Sequence, residues 1–291
     1  MLAHRLAVVT AVATCVLILF GGLVTNTGAA LAVPDWPRTF GHNMFLFPWS
    51  EMVGGVFYEH THRLLGALVG LLTLGLAAAL WPRGGRLRWL GVVAVVAVCV
   101  QGVLGGLRVV LLQDSLAIVH GSLAQAYFAL IVALALLTSR PMVTPARGVD
   151  PGLRGLALAG ALLVYVQIVF GALLTHGGRL DLHLAGAVAV FAALPVLTAR
   201  LRRTGDAVAA PAARILLLLL ALQLALGIAA YLSRFSPLWI PGGQVTMLAM
   251  PVAHRLAGGI IFALTVVLAV RVWSVAGAWR PVSGPAMVRP S

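Results

Sequence analysis

Residues 215–230 read ILLLLLALQLALGIAA, a run with no charge and one polar side chain, Gln223. A helix needs about 20 apolar residues to cross the hydrocarbon core of a bilayer, and this run with its flanks reaches that length. Similar runs occupy residues 6–20, 90–100 and 157–169. Over 291 residues, 61% are hydrophobic and 9% charged, and the mean hydropathy is +1.04. A soluble domain carries roughly 25% charged residues, so a chain this poor in charge cannot cover a water-facing surface. Inside lipid the backbone must satisfy itself, which selects helices, and the alternation of a membrane barrel is missing. The sequence therefore predicts an all-α polytopic membrane protein with eight transmembrane helices, near residues 5–26, 60–82, 88–110, 116–138, 153–175, 180–200, 213–233 and 248–275. The first of these reads as a retained helix, because no small-residue cleavage site follows its long apolar run.

The same run also carries a repeat. Gln223 stands four residues before the glycine of Leu226-Gly227-Ile228-Ala229. Related strings end the other odd-numbered helices: Phe20-Gly21-Gly22-Leu23, Leu104-Gly105-Gly106-Leu107 and Phe170-Gly171-Ala172-Leu173. Gln101 and Gln167 hold the place of Gln223 in two of them, and Leu17 holds it in the first. An outer loop follows each string, and then one histidine opens the next helix: His62, His120, His183 and His254. A two-helix hairpin has been used four times. The Pro- and Arg-bearing segment 139–154 splits the chain into two four-helix halves, residues 1–140 and 153–291, joined by a linker at 141–152. The fifth and sixth helices leave almost no connection, so the turn at Gly177-Gly178 must be tight.

Ionizable residues at membrane depth are costly and usually functional, and neutral imidazole is the commonest axial ligand of heme iron. Four histidines at one repeat position point to heme ligation in pairs, His62 with His120 and His183 with His254, one pair per half. No carboxylate or thiol cluster accompanies them, as a zinc or copper site would show. Cys15 and Cys99 both sit inside apolar runs, and without a CxxCH string covalent heme attachment is excluded. Small residues follow each histidine by one turn: Gly66, Ala124, Gly186 with Ala187, and Gly258. They either allow close helix packing or leave room for a flat macrocycle. Glu59 shares a helical face with His62. It reads equally as a proton-handling group beside the macrocycle and as a carboxylate capping the helix start. Arg63 and Arg255 each follow a histidine. They suit the two propionates of a heme, or they reach the interface as snorkeling side chains. His42, His60 and His176 read as loop residues, and His4 lies at the opposite end.

These strings resemble a known family. Glu59-His60-Thr61-His62-Arg63 is similar to the ExxHR motif of the heme A synthases. Residues 21–28 followed by Asp35-Trp36-Pro37 look like that family's first outer loop, and residues 101–107 with His120 resemble its third and fourth helices. The resemblance covers almost the whole chain. It implies two pseudo-symmetric four-helix bundles and oxidation of the C8 methyl of heme O to a formyl group by successive hydroxylations. It further implies that His183 and His254, with Arg255, hold a heme b and its iron. His62, His120 and Arg63 would then bind the substrate heme, with Glu59 taking part in the chemistry. Heme O synthase and an electron donor are the partners it suggests. The chain departs from many bacterial members in having no cysteine pair in its outer loops. Two other readings compete: a diheme b-type electron carrier, and a heme transport or handling protein.

The net charge of +13 comes entirely from arginine, and its placement argues against nucleic acid as a partner. Fourteen arginines fall on one side of the predicted spans and six on the other. By the positive-inside rule, both termini lie in the cytoplasm, the four histidines lie near the outer face of the plasma (inner) membrane, and membrane lipid surrounds the spans. A reporter fused after Ser291 should be active only if it is one that works in the cytoplasm. Activity of a periplasm-dependent reporter at that position would reverse the orientation.

Overall fold

A computed structural model of the chain describes residues 1–140, 152–237 and 241–274. Eight helices fill it: α1 (Leu2–Asn26), α2 (Gly54–Leu80), α3 (Gly85–Leu111), α4 (Asp114–Leu137), α5 (Gly152–Gly177), α6 (Leu180–Arg203), α7 (Ala209–Phe235) and α8 (Gly243–Trp273). All eight are long and apolar enough to cross a membrane. Of the linker expected at 141–152, only Gly152 is among the described residues. Arg147, Arg280 and Arg289 of the arginine tally, and residue 275 at the expected end of α8, also lie outside them.

Two starts differ from the sequence reading. Helix α2 begins at Gly54 rather than 60, capped by Val53 with no side-chain bond. Glu59 therefore lies inside the helix and does not cap it. Helix α8 begins at Gly243 rather than 248, which makes Pro251 an interior residue. In both cases the helix extends beyond the apolar pattern by one to two turns. The α5–α6 connection is only Gly178 and Arg179. Gly178 takes φ +68°, a left-handed conformation that glycine adopts without steric cost. Its N–H donates to the Leu174 carbonyl at 3.1 Å, closing the helix end.

Helix neighbors close into two rings. Helix α1 packs on α2 and α4, with α3 between α2 and α4; α5 packs on α6 and α8, with α7 between α6 and α8. The rings meet where α8 packs on α4 and α1, and where α4 packs on α5. Exchanging α1 with α5 and α4 with α8 maps these contacts onto one another, as a twofold relation requires.

The packed apolar side chains sit at the inner end of both rings. One buried cluster joins Ala3, Ala7, Leu76, Leu80, Ala94, Ile131 and Leu134, and the other includes Leu153, Leu197, Leu201, Leu216 and Leu268. On the even-numbered helices the first buried members are Val69, Tyr127, Val190 and Ile261. Each lies seven residues beyond its repeat histidine, about 10 Å along the helix. On these four helices the buried clusters thus begin about two turns beyond the histidines. At the inner end, Arg271 donates to both oxygens of Asp206, through Nε at 3.1 Å and Nη2 at 2.8 Å, with both side chains buried. Asp206 also accepts from the N–H groups of Val208 and Ala209 at the start of α7. Burial would raise the Asp206 carboxyl, but Arg271 and these N–H groups together hold it below the usual carboxylate range.

Candidate functional site: two imidazole pairs

Each repeat histidine lies against the glycine of the preceding string. A Cβ placed on Gly21 would stand 3.0 Å from His62 Cε1, and one on Gly105 would stand 3.2 Å from His120 Cε1. The corresponding distances are 3.4 Å from Gly171 to His183 and 3.0 Å from Gly227 to His254. A Cβ would press on the ring at Gly21, Gly105 and Gly227 and would just touch it at Gly171. This contact, made four times, is the physical content of the repeated string.

The rings come together in twos. His62 and His120 have centroids 6.4 Å apart with planes crossing at 79°, and His183 and His254 have centroids 6.1 Å apart at 76°. Two metal–imidazole bonds of about 2 Å, with roughly 1 Å more from each nitrogen to its ring center, put the centroids about 6 Å apart. The observed spacing is that of two imidazoles sharing one metal. Among the described residues no group of three or more His, Cys, Asp or Glu could hold a bare ion. Two facing imidazoles without further protein ligands suit a metal whose other four positions are filled by a macrocycle.

A ligand imidazole is oriented through its other nitrogen. His62 Nδ1 lies 3.2 Å from the Leu17 carbonyl. The Gln101 amide reaches His120 Nδ1 at 2.9 Å. Gln167 Nε2 lies 3.2 Å from His183 Nδ1 and 2.9 Å from the His183 carbonyl. Gln223 Nε2 lies 3.4 Å from His254 Nε2, and His254 Nδ1 is buried without a hydrogen-bond partner. Ligation through Nε2 requires the proton on Nδ1 and an acceptor for it. The Leu17 carbonyl is one already. The amide oxygens of Gln167 and Gln223 are buried and unpartnered.

The small residues one turn beyond the histidines acquire a specific reason here. A Cβ on Gly186 would collide with Gln167, and one on Gly258 would stand 3.3 Å from Gln223 Nε2. In the first repeat, which has Leu17 in place of glutamine, a Cβ on Gly66 meets nothing within 4 Å.

Around the first pair the structure builds something the second pair lacks. Glu59 is buried, and it accepts from Arg63 Nη2 at 2.7 Å and from the Val33 N–H at 3.0 Å. Arg63 donates further to the carbonyls of Val33 (2.9 Å), Asp35 (2.7 Å) and Arg38 (3.0 Å). His60 is buried as well; its Nδ1 lies 3.1 Å from Thr39 Oγ1, and its ring lies against Phe47. Asp35 accepts from the N–H groups of Phe40 and Gly41, both at 2.8 Å. Burial would raise its carboxyl, but those two bonds and the Arg63 charge hold it below its usual range. The loop so fastened carries Trp36 onto Gly106, where any Cβ would overlap the indole. The four hydrogen bonds of Arg63 go to the loop and to Glu59. Arg255, by contrast, makes no hydrogen bond or ion pair among the described residues and packs beside Gly22. His42 is exposed against Phe47, and His176 Nδ1 lies 3.9 Å from Asp114 Oδ1.

Residues 4–181 match the family described as cytochrome oxidase assembly protein, COX15-CtaA. Curated relatives carry the name heme A synthase. The protein of Shouchella clausii is 33% identical over 180 residues, which is 59% of this chain and 58% of the relative. That of Halalkalibacterium halodurans is 30% identical over 57% of each chain, and that of Alkalihalophilus pseudofirmus is 29% identical over 45% and 44%. The chain thus spans somewhat over half the length of the first two relatives it matches.

The glycine contact is directly testable. Gly227→Val puts atoms where the His254 ring lies. It should weaken iron-porphyrin binding at the second pair by tenfold or more, about 1.4 kcal/mol, read as loss of the low-spin absorption of the purified protein. Gly155→Ala, at a position where a Cβ meets nothing within 4 Å, should keep that spectrum. Equal spectra in the two variants would show that the contact does not hold the ring.

Proposed function

The chain belongs to the COX15-CtaA family of cytochrome oxidase assembly proteins, and on that premise we propose that it is a heme A synthase, an oxidoreductase that converts the C8 methyl of heme O to a formyl group by successive hydroxylations. The observation that carries this reading is an asymmetry. Two imidazole pairs have nearly the same spacing, yet among the described residues only the first has a buried carboxylate and a fastened loop beside it. At the position three residues before each histidine the four repeats read Glu59, Ala117, Leu180 and Pro251. A diheme carrier would use its two pairs alike, and a protein that only handles heme would need one site.

In this reading His183 and His254 hold a resident heme b, with Arg255 turned to its carboxylates. That group supplies one-electron transfer when bound. His62 and His120 hold heme O as substrate. Gln101 and the Leu17 carbonyl fix the two rings, so the substrate's iron is presented in one orientation. Glu59 keeps a negative charge one helical turn from His62 and sets the position of the loop that bounds the substrate. Arg63 holds Glu59 and the Val33–Arg38 backbone together, so its part in the substrate site is exercised through that wall. Trp36 closes the wall against α3. The protein is multi-pass, and we place it in the plasma membrane with its termini in the cytoplasm and both sites toward the outer face. Heme O would arrive from its synthase, and a separate donor would deliver electrons.

Glu59→Gln preserves an acceptor for the Val33 N–H and removes the charge that Arg63 meets. A charge-assisted hydrogen bond contributes about 1.5–3 kcal/mol. The variant should keep its heme b spectrum and convert heme O at least about tenfold more slowly, with hydroxylated heme accumulating. The measurement is the ratio of heme O, hydroxylated heme and heme A in membranes at matched protein levels. A wild-type ratio would remove Glu59 from the chemistry.

A further inference from the structure

Arg108 lies in the last turn of α3, three residues beyond Gly105, the glycine that meets the His120 ring. Residues three apart share a helical face, so Arg108 stands on the face of α3 that holds this histidine, one turn nearer the outer surface. Both rings of the first pair lie within range of its charge. The side chain is half-buried and makes no hydrogen bond or ion pair among the described residues. The acids whose charge reaches it, Asp114 and Glu59, are not its partners. Glu59 has both oxygens engaged by Arg63 and Val33, and Asp114 is largely exposed, with its Oδ1 3.9 Å from His176.

A guanidinium held in a membrane span without a counter-charge is costly, and its planar fork matches a carboxylate. The substrate proposed for this pair carries two carboxylates on one edge of its ring. Arg63, which follows His62 in sequence, already has its four hydrogen bonds to the loop and Glu59. Arg108 is the cation beside the first pair that is left for that edge, as Arg255 is beside the second.

We propose that Arg108 binds a propionate of the heme substrate at the His62–His120 pair, an inference that rests on reading that pair as the substrate site. Binding there fixes the propionate edge of the macrocycle against the last turn of α3, and with it the place of the C8 methyl, which neighbors a propionate. Two other roles suit a cation at this place: the C-terminal end of α3 favors positive charge, and a head-group phosphate could accept from it. Neither depends on the carboxylates of the porphyrin, and the test uses that difference.

Protein purified with its resident heme is titrated with heme O and, separately, with heme O dimethyl ester, in which both propionates are masked. The wild type should bind the free acid about tenfold or more tighter than the ester. Arg108→Gln should bring the acid down to the ester's affinity and leave the ester's affinity and the resident heme spectrum unchanged. Arg108→Lys should recover part of the acid's advantage. An Arg108→Gln variant that still prefers the acid by the wild-type ratio, or that loses acid and ester equally, overturns the assignment. A His62→Ala arm separates this failure from that of the underlying reading: if His62→Ala binds heme O as the wild type does, the first pair is not the substrate site.

Discussion

An imidazole at membrane depth cannot leave its polar atoms unsatisfied, because no water is there to take them. The structure engages Nδ1 of three of the four rings, and His254 Nδ1 alone among them is buried without a partner. A glycine on an odd-numbered helix lets the ring of the next histidine come within van der Waals contact of the backbone. A glutamine amide or, once, a backbone carbonyl engages one ring nitrogen. The remaining nitrogens have a neighboring imidazole about 6 Å away, centroid to centroid. That spacing suits a metal between the rings. The rest of the fold conforms to it: two-residue turns join α3 to α4 and α5 to α6, and the two rings repeat the pattern about a twofold relation.

Function enters where the repeat is broken. Leu17 replaces the glutamine in the first hairpin, Glu59 and Arg63 flank its histidine, and residues 27–53 are inserted after it. These departures form one unit. Glu59 and Arg63 fasten the inserted loop, and the loop lays Trp36 on Gly106, next to the glycine that seats His120. An internal duplication thus supplies two alike sites, and a few substitutions in one of them make the sites chemically different.

Much of this was legible in the sequence because a repeat writes the same physics several times. Eight apolar runs marked the helices, and the recurring glycine string followed by histidine marked the four imidazoles that the fold brings together in pairs. What was not legible depends on distant contacts. The spacing of Gln101, Gln167 and Gln223 was visible, but their grip on the histidines depends on how the odd and even helices rotate against each other. Arg63 looked like a ligand for the macrocycle because it follows His62; only the fold of the loop shows where its donors go. Glu59 looked like a possible helix cap because the apolar pattern of α2 starts late, whereas the helix itself begins at Gly54. The seating of Trp36 on Gly106 joins residues with 69 positions between them, and no local pattern records it.

The central claim is that the two imidazole pairs hold different hemes, one resident and one in passage. Its most direct measurement is the identity and number of hemes extracted from protein purified with and without co-expression of a heme O source, in the wild type and in the His183→Ala and His62→Ala variants. The account predicts one heme b per chain without the source, and a second heme of the O or A type with it. His183→Ala should remove the first, and His62→Ala should remove the second. Two hemes b per chain under both conditions, one lost in each variant, would contradict it and make the protein a carrier of electrons rather than an enzyme.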